Sequence, residues 1–253
     1  MAEEQTLKRT FAEAPPAVIE RRGGRGGGRS LWVDALGVSS ILAILFALYL
    51  ALIWAPTEAV MGDIQRLFYF HVAAAWLALG PSFGVVAACS VLYLWKKDLR
   101  FDRIASASAE LGVMFTTITL VTGPIWARPI WGAYWTWDPR LTTTLVLWFI
   151  FVAYLMLRSA VDAGHKRARL SAVFGIVGWI DVPIVFMSIR WWRTIHPTVI
   201  ASEGGGLAPD MRLALFVAIG AFTLLYAYLL VVRVRQEDLA TRLDRVRHQL
   251  YLR

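Results

Sequence analysis

The chain of 253 residues holds one cysteine and four histidines, and Asp, Glu, Lys and Arg together make up only 17% of it. A lone thiol, Cys89, excludes a disulfide framework, a CxxC redox pair and any CxxCH attachment motif. No acid, base and nucleophile are arranged as a hydrolase or a transferase would need them. So few charges also exclude an ordinary soluble domain. In their place stands apolar chain, 58% hydrophobic with a mean hydropathy of +0.55.

The apolar residues fall into six runs, near 34–55, 69–94, 104–123, 142–161, 170–190 and 211–232. Crossing the roughly 30 Å hydrocarbon core takes about 20 mostly uncharged residues in a helix, which satisfies its own backbone hydrogen bonds. The expected fold is all-α, a polytopic membrane protein with six transmembrane helices. The first run lacks a cleavage site and reads as a retained signal anchor. Most of the 26 Lys and Arg lie in the arm before residue 30, around Lys96–Arg103 and Arg158–Arg169, and from Arg233 onward. The alternate loops keep Arg66, Arg128, Arg140, Arg190, Arg193 and Arg212. The positive-inside rule therefore puts both termini in the cytoplasm and the loop between the third and fourth helices outside. That placement also accounts for the net charge of +8 without nucleic acid as a partner.

Three parts follow: residues 1–30, a disordered basic arm containing "RRGGRGGGRS" and attracted to anionic membrane lipid; residues 31–233, the six-helix domain; and residues 234–253, a cytoplasmic tail. The tail carries Leu239, Leu243, Val246 and Leu250 at three- and four-residue spacing, an amphipathic helix for the membrane surface or for a partner.

The external loop "PIWGAYWTWDPRLTT" packs Trp131, Trp135 and Trp137 beside Tyr134 and Asp138, with Trp126 just upstream. His71, at the outer end of the second run, and His196, in the third external loop, share that face. His165 and His248 read as solvated residues on the cytoplasmic side. Two imidazoles beside a broad aromatic surface suit six-coordinate haem iron, one ligand above and one below the ring. Indoles would cover the porphyrin, and Arg66, Arg128 or Arg193 would pair with its propionates. An interfacial anchoring belt is the competing explanation of the tryptophans; it suits Trp32, Trp54, Trp95 and Trp148 better than the dense cluster. Ala73, Ala74, Ala75 and Ala78 either leave room for a planar ligand or pack helix against helix.

If helical, residues 131–138 align Trp131, Trp135 and Asp138 on one face; but Pro124, Pro129, Gly132 and Pro139 argue for only a short surface segment. Asp138 is assigned a positioning role, accepting hydrogen bonds from indole or backbone donors. Asp181, two residues before Pro183, is either functional or bonded into the backbone gap that the proline opens. A proton path would need a second intramembrane acid, for which Glu110 is the obvious residue.

"WGAYWTWDPRLTT" resembles the WWD signature, WGxxWxWDxxLT, of haem-handling proteins in cytochrome c biogenesis. "YFHVAAAW" and "PIVFMSIRWWRTIHP" resemble the flanking histidine segments of the cytochrome c maturation protein C family (CcmC), and the likeness spans residues 31–233. The resemblance implies a protein of the bacterial inner membrane that presents haem b at the periplasmic face. It implies His71 and His196 as axial ligands, with Trp131, Trp135, Trp137 and Asp138 as the WWD segment. It further implies delivery to a haem chaperone (CcmE-like) that binds haem covalently, and association with ABC transporter subunits (CcmA/CcmB-like) and a small single-helix protein (CcmD-like). Three other readings compete. A transmembrane haem exporter subunit would need a path across the bilayer, and a b-type cytochrome would hold its histidines mid-span. A scaffold would use the tryptophan loop as a protein-docking surface.

Overall fold

The computed structural model describes residues 31–196 and 207–251; the arm over 1–30 lies outside them. Among the described residues there is no strand, only an isolated β-bridge between Glu58 and Gly62. Six helices are long and apolar enough to cross a membrane: α1 (Leu31–Trp54), α2 (Asp63–Lys96), α3 (Leu99–Trp131), α4 (Pro139–Ala160), α5 (His165–Trp191) and α6 (Pro209–Tyr251). The protein is a multi-pass membrane protein. Its large apolar side chains are exposed along much of α1, including Ile41, Leu42, Leu45 and Phe46, as a lipid-facing surface requires.

Pairs of charged and aromatic groups fix which helix ends lie together. At the basic end Arg158 on α4 holds Asp102 on α3 with two bonds, 2.5 and 3.1 Å, both residues buried. Arg103 on α3 meets Asp238 on α6 at 2.6 Å, and Arg235 on α6 lies over the Trp32 ring at the start of α1, 5.0 Å from its centroid. The end of α2 joins the start of α5 where Tyr93 Oη sits 3.2 Å from His165 Nδ1. The basic segments thus share one end of the bundle, and the tryptophan segment occupies the other.

Between the ends, packing supplies cohesion that lipid-facing surface cannot, since a lipid tail is as apolar as a leucine. Phe83 on α2 stacks on Phe151 on α4 at 3.7 Å and 13°. Ser108 on α3 donates to the Ser82 carbonyl on α2 and accepts from Tyr226 Oη on α6, each at 2.7 Å. Glu110 on α3 pairs with Arg233 on α6, which also reaches Glu237 at 2.9 Å. Glu110 is therefore committed to a cation rather than facing Asp181 as a second acid.

The helix ends differ from those expected. α3 runs through Pro124 and Pro129 to Trp131, where a break was expected. Each proline frees only one carbonyl, that of Leu120 or Ile125 four residues back. Threonines line the preceding stretch and donate to carbonyls four residues back, Thr119 to Phe115 at 2.9 Å and Thr122 to Ile118 at 2.7 Å. These bonds reinforce the turns before the prolines and do not reach the two freed carbonyls; membrane helices tolerate proline where neighbouring groups and local adjustment make up the loss. α2 absorbs Pro81 in a wide turn over Ala78–Ser82, and α5 is interrupted by a turn at Ile180 just before Asp181. Asp181 Oδ2 is buried without a hydrogen-bond partner among the described residues, so no bond from that oxygen fills the gap near Pro183. α6 continues without a break past residue 233, so Leu239, Leu243, Val246 and Leu250 are exposed on an extension of the last membrane helix.

Candidate functional site

The end of the bundle opposite the basic segments is assembled from α2, the end of α3, the tryptophan segment and the chain after α5. His71 is buried on α2. Its Nδ1 lies 3.0 Å from Thr122 Oγ1 on α3, and its ring stacks on Trp126 at 6.0 Å and 26°. His196 and Arg140 both lie near enough to couple to His71 electrostatically. Trp126, read in the sequence as part of the loop cluster, belongs to α3 and is buried. Its Nε1–H donates to Gln65 Oε1 at 3.4 Å, and its ring meets Phe68 at 5.6 Å.

The tryptophan segment between α3 and α4 is not helical, so Trp131, Trp135 and Asp138 do not form a helical stripe. Two residues cause this. Gly132 ends α3 at φ 71°, a left-handed conformation that glycine adopts without strain. Asp138 takes an extended ψ of 140°, as the residue before a proline must, and its carboxylate caps α4 by accepting from the Arg140 N–H at 2.9 Å. Between them the segment sets Trp135 edge-on to Trp137 at 5.8 Å and 84°. Trp137 is exposed over 76% of its surface, whereas the Trp135 indole N–H is buried with no partner among the described residues.

Asp138 also joins this segment to the chain after α5. Its other oxygen, Oδ2, accepts from Thr194 Oγ1 at 2.7 Å and from the Ile195 N–H at 2.9 Å. Thr194 Oγ1 in turn accepts from the His196 N–H at 3.0 Å, and Trp131 lies edge-on to the His196 ring at 6.4 Å and 64°. One carboxylate thus holds the tryptophan segment, the start of α4 and the His196 chain together. An open pocket beside it is walled by Thr136, Trp137, Arg193 and Ile195.

The arginines divide. Arg66 donates to the Ala51 and Ala55 carbonyls at 3.0 and 3.4 Å, to Thr57 at 3.2 Å and to Asp63 at 3.1 Å, and so closes the end of α1. Those contacts engage four of the five guanidinium hydrogens. Arg128 is exposed; it donates to the Gly132 carbonyl at 2.8 Å and lies over the Tyr134 ring at 5.4 Å. Arg140, half-buried on the first turn of α4, was counted in the sequence only as a loop charge. Its position two residues after Asp138 was the available signal. Thr122, Gln65 and Thr194 were not singled out, because each acts on a residue more than fifty positions away. On the basic side His165 is exposed and stacks on Tyr93 at 6.3 Å, and the side chain of His248 lies outside the described residues.

Residues 29–249 match the family described as Heme exporter protein C (CcmC). Heme exporter protein C of Bradyrhizobium diazoefficiens is 35% identical over 210 residues, covering 82% of this chain and 79% of that protein. A ccmC-like mitochondrial protein of Marchantia polymorpha, named for cytochrome c biosynthesis, is 34% identical over 75% of this chain and 81% of its own length. Heme exporter protein C of Escherichia coli K12 is 32% identical over 81% and 82%. With the match extending over nearly the whole membrane bundle, from the start of α1 to the end of α6, the chain belongs to the CcmC family.

Proposed function

We propose that this protein acts in cytochrome c biogenesis by holding haem b at the periplasmic face of the inner membrane and releasing it to a haem chaperone. Haem is its cargo. The observation that carries the reading is the Asp138 junction. A single carboxylate ties the WWD segment to the chain two residues before His196, at the end of the bundle where His71 also lies. One imidazole from a membrane helix, α2, and one from the chain after α5 are thereby kept near one aromatic wall, the donor set that six-coordinate haem iron takes.

The residues fit that cargo. His71 has one ring nitrogen engaged by α3 and the other available as a donor. Trp131, Trp135 and Trp137 offer indole faces and edges for the porphyrin, and the Trp135 N–H, without a partner among the described residues, is a donor for a polar group of the cargo. Trp126 stands behind His71 and steadies it. Of the cations, Arg128 and Arg140 have guanidinium hydrogens to offer a propionate, and Arg66 has at most one. Iron held by two imidazoles has no open position for oxygen, which suits storage and transfer rather than oxidation. ABC transporter subunits and a small single-helix protein are the further partners that go with this role.

Delivery is tested by loading the purified protein in nanodiscs with haem and mixing it with the soluble domain of a haem chaperone. Covalently bound haem is expected on the chaperone domain with the wild-type protein and not with Asp138→Ala. Equal transfer from both would remove the junction from the function. Haem recovered in the opposite aqueous compartment of proteoliposomes, with the chaperone unlabelled, would favour an exporter subunit.

A further inference from the structure

The imidazole of His71 rests on α3 where that helix presents Thr122 and Gly123 in succession. Nδ1 stands 3.0 Å from Thr122 Oγ1. The hydroxyl's own proton is directed to the Ile118 carbonyl, 2.7 Å away. What Thr122 offers the ring is therefore a lone pair, and the hydrogen between them belongs to Nδ1. A neutral imidazole carries a single N–H, so a ring that gives its proton to α3 keeps the lone pair of its other nitrogen.

Gly123 supplies the space. A Cβ at this position would lie 3.0 Å from His71 Cε1, tighter than nearly all Cβ contacts, so a side chain here requires the ring to shift by a few tenths of an ångström from its seat on the helix. One turn further on, Trp126 closes the cradle with its stacked indole, itself anchored to Gln65. Hydroxyl, gap and indole lie at positions 122, 123 and 126, on adjoining faces of one helix.

We propose that Thr122 and Gly123 are positioning residues that set the Nδ1–H tautomer of His71 and aim its Nε2 outward as the iron donor. This rests on the reading of His71 as an axial ligand. Neither residue touches haem; both act through the imidazole. Partners of this kind, which fix the tautomer and orientation of a ligating histidine, typically change metal affinity by about 10- to 100-fold when removed.

Thr122→Val keeps the shape and deletes the acceptor, Thr122→Ser restores the acceptor, and Gly123→Ala fills the gap. Nitrogen NMR of the histidine-labelled, haem-free protein, assigned by difference from His71→Ala, reads the tautomer directly. The expected result is Nδ1–H in the wild type and in Thr122→Ser, with Nε2–H gaining population in Thr122→Val. Haem affinity is expected to fall about 10- to 100-fold in Thr122→Val and Gly123→Ala and to stay within a few-fold in Thr122→Ser. An Nε2–H wild type, or a Thr122→Val protein equal to wild type in both tautomer and affinity, would overturn the proposal. If His71→Ala alone abolished haem binding while Thr122→Val did not weaken it, the cradle would fail and the ligand would stand. If His71→Ala kept its haem, the ligand reading itself would fail, whatever the tautomer.

Discussion

Asp138 uses its two carboxylate oxygens in different directions: Oδ1 caps α4 through the Arg140 N–H, and Oδ2 accepts from Thr194 and Ile195. Asparagine keeps one acceptor and turns the other into a donor, so Asp138→Asn can serve one side of the junction only. Asp138→Ala serves neither. It loses a helix cap, about 1 kcal/mol, and leaves the donors of Thr194 and Ile195 without their acceptor, about 1–3 kcal/mol more where water does not replace it. Thermal unfolding in detergent should rank wild type above Asp138→Asn and Asp138→Ala lowest; an Asp138→Ala protein as stable as wild type would contradict the junction. The positioning role of this residue was legible in the sequence, because an aspartate before a proline at a helix start has few other uses. Its partners were not. Ile195 is 57 positions away, and that contact exists only once α5 has returned the chain to the same end.

At the scale of elements, hydropathy located all six membrane helices, since about 20 apolar residues admit few other structures. It did not locate their ends. Pro124 and Pro129 read as helix breakers by the rules of soluble proteins, yet α3 passes through both, and the residue that stops it is Gly132. Gly132→Ala should therefore matter more than its exposed position suggests. A left-handed alanine costs about 1–2 kcal/mol, and relief of that strain would redirect the tryptophan segment. A lowered melting temperature with reduced haem retention is expected, and an unchanged protein would show that the turn tolerates other conformations. The amphipathic stripe on Leu239, Leu243, Val246 and Leu250 was legible as well. Its continuity with α6 was not, because polar residues after Val232 hide a helix that has no breaker in it.

For the whole molecule, the two ends of the bundle are held by different chemistry. The basic end relies on ion pairs, of which Asp102 with Arg158 is the most buried, with side chains 7% and 8% exposed. Removing one partner strands a buried charge, so Asp102→Ala and Arg158→Ala are each expected to cost about 3–5 kcal/mol, with Asp102→Leu/Arg158→Leu together milder than either. Unfolding of the three variants in detergent checks this, and a double variant worse than both singles would contradict it. The opposite end relies instead on aromatic packing and on the Asp138 junction, beside which His71 and His196 lie. The proposed haem ligation turns on those imidazoles. The most direct test is the visible spectrum of detergent-purified protein, oxidised and then reduced with dithionite, with haem quantified as its pyridine complex. A low-spin b-type spectrum is expected in the wild type, lost or converted to high spin in both His71→Ala and His196→Ala. An unaltered low-spin spectrum and haem content in both variants, or a wild-type protein that stays colourless when supplied with haem, would contradict it.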